Sequence, residues 1–256
     1  MRDGFWSEGV DVRHGWLDAA ECDEYIEAIR EVNRTEALPL IERRSRGRSL
    51  RYKVIDGRRI ASAIPDIDVL CTRVQTVAEH LCGTRLEPIC DMVAARNINI
   101  TPPGGEYRWH YDRNAVTAIA YLNEVSGGET EVFPNYRLVL RSGPQQRLQR
   151  VLDTVVRQAP IRRCFGRRRL VATTKGSLLI MRGDRSLHSV RRVHGLEDRI
   201  NVVFAYDVPG ACHTRQGLDG YLYETVEARG NPNYWKFDSV RPRLDRSAPA
   251  AVGSAR

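Results

Sequence analysis

Apolar positions recur with two different periods along this chain, and the first is helical. Asp18-Ala-Ala-Glu21 has the form of a capping box, an acceptor at the N-cap with a glutamate three residues on. It opens a helix through Val32, with Ile26, Ile29 and Val32 on one face. A second helix is predicted over 66–81, where Val69, Leu70, Val74, Val77, Ala78 and Leu81 form a stripe. From about Glu87 the pattern shortens to strands at 94–100, 115–122, 130–133, 170–174, 177–181 and 200–206. Turn chemistry separates them: PPGG at 102–105, SGG at 126–128 and KG at 175–176. Helices followed by many short strands predict an α+β protein whose core is an antiparallel sandwich or barrel.

Segment 144–169 interrupts the strands. Leu148, Val151, Leu152, Val155 and Val156 make a helical stripe closed by Pro160, and Arg147, Arg150 and Arg157 share the helix. A helical insertion with a basic flank is expected there. The chain has no internal repeat, and its Pro-, Ala- and Ser-rich tail from Arg241 reads as frayed. One domain over 1–256 is expected: helical support over 1–90, a strand core with its insertion over 91–208, and an extension over 209–256.

Composition adds exclusions. With 42% hydrophobic and 28% charged residues the chain is an ordinary globular sequence, not a disordered one. No uncharged apolar run approaches the ~18 residues of a membrane span. The N-terminus, MRDGFWSEGVDVRHGW, lacks the apolar stretch of a secretory signal. Cys22, Cys71, Cys82, Cys90, Cys164 and Cys212 are scattered without CxxC spacing and read as reduced, buried thiols. A cytoplasmic protein is expected.

The net charge of +8 is local in origin. Residues 137–169 hold ten arginines against one acid, Asp153, a net +9, so the rest of the chain carries −1. A nucleic-acid binder spreads basic charge over its fold and interleaves aromatics. Here the basic segment contains one aromatic, Phe165, and a polyanion partner is not expected.

Candidate chemistry begins at YRWHYDRNAVTAIAYLN, starting at residue 107. His110 and Asp112 stand two apart, so on extended backbone both side chains point the same way and can share a metal. A second imidazole at the end of a later strand completes two histidines and one carboxylate on one face, the ligand set of non-haem Fe(II) oxygenases. His188 fits best, because a short turn, RGDRSL, joins it to the apolar strand KGSLLIM. Its rival His194 lies beside Gly195 and reads as part of a turn. His80 with Cys82 and Cys90 lacks a fourth ligand and the spacing of a zinc site. His14 and His213 sit in no motif.

In these residues the chain resembles the Fe(II)/2-oxoglutarate dioxygenases, within them the prolyl 4-hydroxylase-like branch. The matching pieces are Trp109-His110-Tyr111-Asp112, Tyr121-Leu122-Asn123, Gly127-Gly128-Glu129-Thr130 with Phe133, Lys175-Gly176-Ser177, His188-Ser189-Val190 and Arg199. The likeness runs over roughly residues 15–208 and rests on the order and spacing of these pieces together. It implies a double-stranded β-helix, or jelly roll. It further implies that His110, Asp112 and His188 hold Fe(II), and that Arg199 pairs with the distal carboxylate of 2-oxoglutarate. Tyr121 would hydrogen-bond that carboxylate, Thr117 and Ile119 would face the same cavity, and Asn201 would be a lesser cosubstrate contact.

The implied activity is oxidation of a substrate by O2, coupled to conversion of 2-oxoglutarate to succinate and CO2. The expected substrate is a small molecule, as in natural-product biosynthesis, with hydroxylation, cyclisation or desaturation as outcomes. Hydroxylation of a protein residue, nucleic-acid demethylation and a metal-binding jelly roll without turnover stand as alternatives. Ala205, where the DNA-repair demethylases of the superfamily carry a second arginine, counts against demethylation. The insertion is expected to cover the mouth of the site as a lid.

Overall fold

The computed structural model describes residues 4–36, 38–45, 48–139, 146–165 and 167–211. The N-terminal part contains α1 (Gly4–Glu8), β1 (Val10–Arg13), α2 (Ala19–Glu36), β2 (Ile41–Ser45) and β3 (Arg48–Ile55). Next come α3 (Gly57–Ala63), α4 (Ile67–Cys82), β4 (Glu87–Pro88), α5 (Met92–Ala95) and β5 (Arg96–Thr101). The central strands are β6 (Tyr107–His110), β7 (Val116–Tyr121) and β8 (Thr130–Phe133). After them follow α6 (Gln146–Val156), α7 (Ala159–Phe165), β9 (Arg169–Val171), β10 (Leu178–Met181), β11 (Leu187–Val190) and β12 (Arg199–Asp207).

The strands form two antiparallel sheets. The major sheet runs β1-β10-β7-β12-β5-β3-β2, with β4 paired to β12, and the minor sheet runs β6-β11-β8-β9. All six residues of β7 are buried because both of its faces are covered. Val116, Ala118 and Ala120 join Ile98, Val202 and Phe204 in packing on Ile26, Ile29, Leu70 and Val74 of the helices. Ile119 and Tyr121 pack on the opposite side, against Val132 and Val171 of the minor sheet. This is the expected α+β jelly roll, with helices on one sheet and the interior of the roll between the two.

The N-terminal ninety residues are not helical support alone, since β1, β2 and β3 extend the major sheet. Asp18 caps α2 by accepting from Ala20 N at 2.8 Å, whereas Glu21 accepts from Arg73 Nη1 at 2.5 Å and ties α2 to α4. The buried stripe of α4 is Ile67, Leu70, Val74, Ala78 and Cys82, and Val69 is 55% exposed. The expected strand at 94–100 begins later, because Asp91 accepts from Val93 N and caps the short helix α5. Of the described cysteines, Cys22 and Cys82 are buried, Cys71 is half-buried, and Cys90 and Cys164 are exposed. No described helix is long and apolar enough to cross a membrane. Cys212, His213 and the tail from Arg241 lie outside the described residues.

The insertion forms α6 and α7 but buries only part of the expected stripe. Leu148, Val151 and Val155 are exposed, Leu152 is half-buried, and the helix docks through Val156 of the stripe together with Asp153. Asp153 accepts from Arg137 Nε and Nη2 at 3.2 and 2.7 Å, and Tyr136 Oη donates to Val156 O at 3.0 Å. The Arg162 guanidinium lies 4.4 Å from the Trp109 ring centre, and Trp109 packs on Phe133. Phe133 alternates with Val132, so it faces away from the interior of the roll. These contacts fasten the two helices to the outer face of the minor sheet. The expectation of a lid over the mouth gives way to a brace on the back of the sheet that carries His110 and His188.

Candidate metal and cosubstrate site

His110 ends β6 and His188 lies on β11, and the pairing of these strands sets the two histidines opposite each other. The register shifts between His188 and Val190, so Arg108 and Trp109 together oppose Ser189. This bulge lets Tyr107 and His110, three apart, share the inner face, with ring centres 4.8 Å apart. Asp112 follows in the turn after β6, where its N–H donates to Gly183 O at 3.0 Å.

His110 Nε2 and His188 Nε2 each lie 3.4 Å from Asp112 Oδ1. The ligating atoms of the three residues lie within 4.8 Å of one another, and no other such group of His, Cys, Asp and Glu occurs among the described residues. Both Nδ1 atoms are engaged by backbone carbonyls two residues back, Arg108 O at 2.9 Å and Ser186 O at 3.0 Å. With Nδ1–H donated in this way, each imidazole turns its Nε2 lone pair to the common centre. The second carboxylate oxygen, Asp112 Oδ2, accepts from Thr117 Oγ1 at 2.6 Å. Three donors facing one point, with their far sides already bonded, suit a divalent transition metal.

The charges agree with this geometry. Burial pushes Asp112 upward, but His188 and His110 together outweigh it and hold the carboxyl well below its usual range. Burial also opposes charge on both imidazoles. In His110 it prevails, helped by His188, and lowers the pKa, whereas Asp112 outweighs it in His188 and raises that pKa.

Further along the inner face, Arg199 is 3% exposed. Its Nη2 donates to Thr130 Oγ1 at 3.2 Å, its Nη1 donates to Asn201 Oδ1, and its guanidinium lies 5.3 Å from the Tyr121 ring centre. Tyr121 Oη and Thr130 Oγ1 are 2.7 Å apart. These partners are neutral, and Arg199 Nε is buried with no partner at all. Burial lowers the Arg199 pKa and raises that of Tyr121. A buried cation among hydroxyls and an amide is a costly arrangement that an anionic ligand relieves. A carboxylate fits the planar fork of an arginine.

The expected residues therefore lie in two groups, the His110–Asp112–His188 cluster and the Arg199–Thr130–Tyr121 cluster, and their partners differ in part from expectation. Thr117, expected beside the cosubstrate, spends its hydroxyl on Asp112, and Asn201 holds Arg199. His194 lies outside the cluster, its N–H donating to Ser126 O, and His14 contacts Ser177. Asn114, Thr130 and Gly183 are additional residues of the site. Thr130 sits in the GGET motif and shares the inward face of β8 with Val132, a signal open to sequence reading. Asn114 and Gly183 reach the site through turns that leave no such pattern.

No protein-family model matches this chain, and no curated protein does. Its fold is shared with solved structures of non-haem iron enzymes. The α-ketoglutarate-dependent carbocyclase SnoK from nogalamycin biosynthesis superposes with a TM-score of 0.64 at 16% identity, over 86% of this chain and 88% of SnoK. The epimerase SnoN from the same biosynthesis gives 0.61 at 18% identity, over 82% of this chain and 86% of SnoN. A prolyl-4-hydroxylase from Pseudomonas putida gives 0.51 at 18% identity, over 81% of this chain and 97% of that one. The chain thus has the jelly-roll fold found in these α-ketoglutarate-dependent enzymes and prolyl hydroxylases.

Proposed function

We propose that this protein is an Fe(II)- and 2-oxoglutarate-dependent oxygenase acting on a small molecule. The observation that carries the reading is the pairing of two features on one inner face: the converging His110, Asp112 and His188, and the buried, acid-free Arg199. His110 Nε2, Asp112 Oδ1 and His188 Nε2 would hold the iron. Arg199 would bind the distal carboxylate of 2-oxoglutarate, with Thr130 and Tyr121 completing its hydrogen bonds and Asn201 fixing the guanidinium. When bound, the iron and cosubstrate supply O2-dependent oxidation coupled to formation of succinate and CO2. The chain's own part is to orient the two groups and keep water from the interior, where Ile119, Val132 and Met181 are buried.

A small-molecule substrate is supported by the higher TM-scores to a carbocyclase and an epimerase of nogalamycin biosynthesis than to the prolyl hydroxylase. The likeness to a carbocyclase and an epimerase also supports outcomes beyond hydroxylation. The concentration of basic charge on the insertion speaks against a nucleic-acid partner, and the scattered thiols support a cytoplasmic location. The test is succinate formation from 2-oxoglutarate by the purified protein with Fe(II), with polycyclic or glycosylated small molecules and proline-containing peptides as candidate substrates. Stimulation by a small molecule alone is expected; stimulation by peptides alone overturns the substrate class, and absence of 2-oxoglutarate binding overturns the enzyme class.

A further inference from the structure

Behind Asp112 lies a chain of hydrogen bonds whose direction is determined. Asn114 Nδ2 donates to Val116 O at 2.7 Å and to Thr117 Oγ1 at 2.9 Å. The Val116 carbonyl can only accept, which fixes the amide nitrogen of Asn114 on this side. Thr117 Oγ1 therefore receives a hydrogen from Asn114, and its own hydrogen is left for Asp112 Oδ2 at 2.6 Å. Asn114 and Thr117 are both buried, so water does not substitute for either.

The backbone closes the same arrangement. Gly183 N donates to Ala115 O at 3.1 Å, while Gly183 O accepts from Asp112 N at 3.0 Å. A Cβ on Gly183 would stand 2.6 Å from Thr117 Oγ1, 2.8 Å from Asn114 O and 3.0 Å from Asp112 Cβ. The glycine thus lets the β10–β11 turn press directly on the Asp112–Thr117 pair.

We propose that Asn114 and Thr117 are positioning residues that make Asp112 a one-oxygen metal ligand, an inference that rests on the iron-site reading above. With Oδ2 held by the threonine, only Oδ1 faces the two histidine nitrogens. A carboxylate free to turn could offer both oxygens to a metal held there. The hydrogen bond also fixes the carboxylate rotamer before metal arrives, which removes an ordering cost from binding.

The test is equilibrium titration of the metal-free protein with Co(II), following affinity and the visible d–d spectrum, for wild type, Thr117→Val and Thr117→Ser. Valine keeps the shape and loses the hydroxyl; serine keeps the hydroxyl and loses a methyl. A hydrogen-bonding role and a packing role therefore rank the variants oppositely. Thr117→Val is expected to weaken Co(II) binding by about 10- to 100-fold, the usual range for an outer-shell partner. Its spectrum should also be altered, while Thr117→Ser stays within about threefold of wild type on the same scale. Asn114→Ser, which removes the upstream donor, is expected to fall between them. Wild-type affinity and spectrum in Thr117→Val, or a serine variant weaker than the valine, overturns the inference alone. Failure of the wild type to bind Co(II) overturns the iron-site reading with it.

Discussion

Replacing Arg199 by leucine separates ligand recognition from stability. In the ligand-free protein the guanidinium is buried against neutral partners only, Thr130, Asn201 and the Tyr121 ring. Leucine removes a costly buried charge but leaves Asn201 Oδ1 without its donor. Those effects oppose each other, so the net change in unfolding free energy should stay within ~1 kcal/mol. Binding of 2-oxoglutarate has no such compensation. Its distal carboxylate would meet an apolar side chain, and truncating a buried charge pair costs ~2–5 kcal/mol. At ~1.4 kcal/mol per decade this is a ~30- to ~4,000-fold rise in Kd. Calorimetric titration of 2-oxoglutarate into the Mn(II)-loaded protein reads the affinity, and denaturant unfolding of the metal-free protein reads the stability. Arg199→Lys, which keeps the charge without the fork, should lie between wild type and leucine. A Kd within about threefold of wild type would move the carboxylate site elsewhere. Severe destabilisation with unchanged affinity would make Arg199 a structural residue.

Asp112→Ala and His188→Ala should each abolish succinate formation while preserving the circular dichroism spectrum; His194→Ala should remain active, and turnover in either ligand variant would disprove the triad. Asp184 sits in the β10–β11 turn with its carboxyl pKa raised, chiefly by burial; its Oδ1 is unpartnered and its Oδ2 lies 3.5 Å from Arg185 Nε. A raised carboxyl favours folding in its protonated form and loses that contribution as pH rises through the folded value. Asp184→Asn should therefore raise the melting temperature near neutral pH, and the gain should vanish in acid; a drop at neutral pH would show that the pair with Arg185 outweighs the cost of burial. Replacing 146–165 with a short Gly-Ser linker uncovers Trp109 and Phe133, and should lower the melting temperature while sparing Co(II) affinity. Retained stability with succinate formation uncoupled from substrate oxidation would restore the lid.

The central strands were legible because burial on both faces leaves near-continuous apolar runs, as in β7 and β12. β6 and β11 were hidden for the opposite reason. Each has four residues, and their inward positions hold His110 and His188 where the pattern requires apolar side chains. The β2–β3 hairpin, rich in arginine, was hidden because Ile41, Leu50, Tyr52 and Val54 acquire their core only when Tyr107 packs on them. Of the site, His110 and Asp112 were readable from a spacing of two, whereas Arg199 was reached only through the family resemblance. The Asn114–Thr117 relay was not readable, since it depends on a turn that brings Gly183 within contact of both. The insertion stripe misled because helical periodicity reveals an apolar face without revealing whether anything covers it.

The extra residue in β6 lets one strand serve two neighbours independently. Two residues opposite Ser189 give the strand an added outward position without displacing Tyr107 or His110 from the interior. Trp109 occupies that position, and Arg162 of the insertion stacks on it. The inner and outer faces of one strand thus carry separate duties, His110 on the interior and the contact with the insertion on the exterior. A change in the insertion would reach Trp109 without altering the single residue between His110 and Asp112.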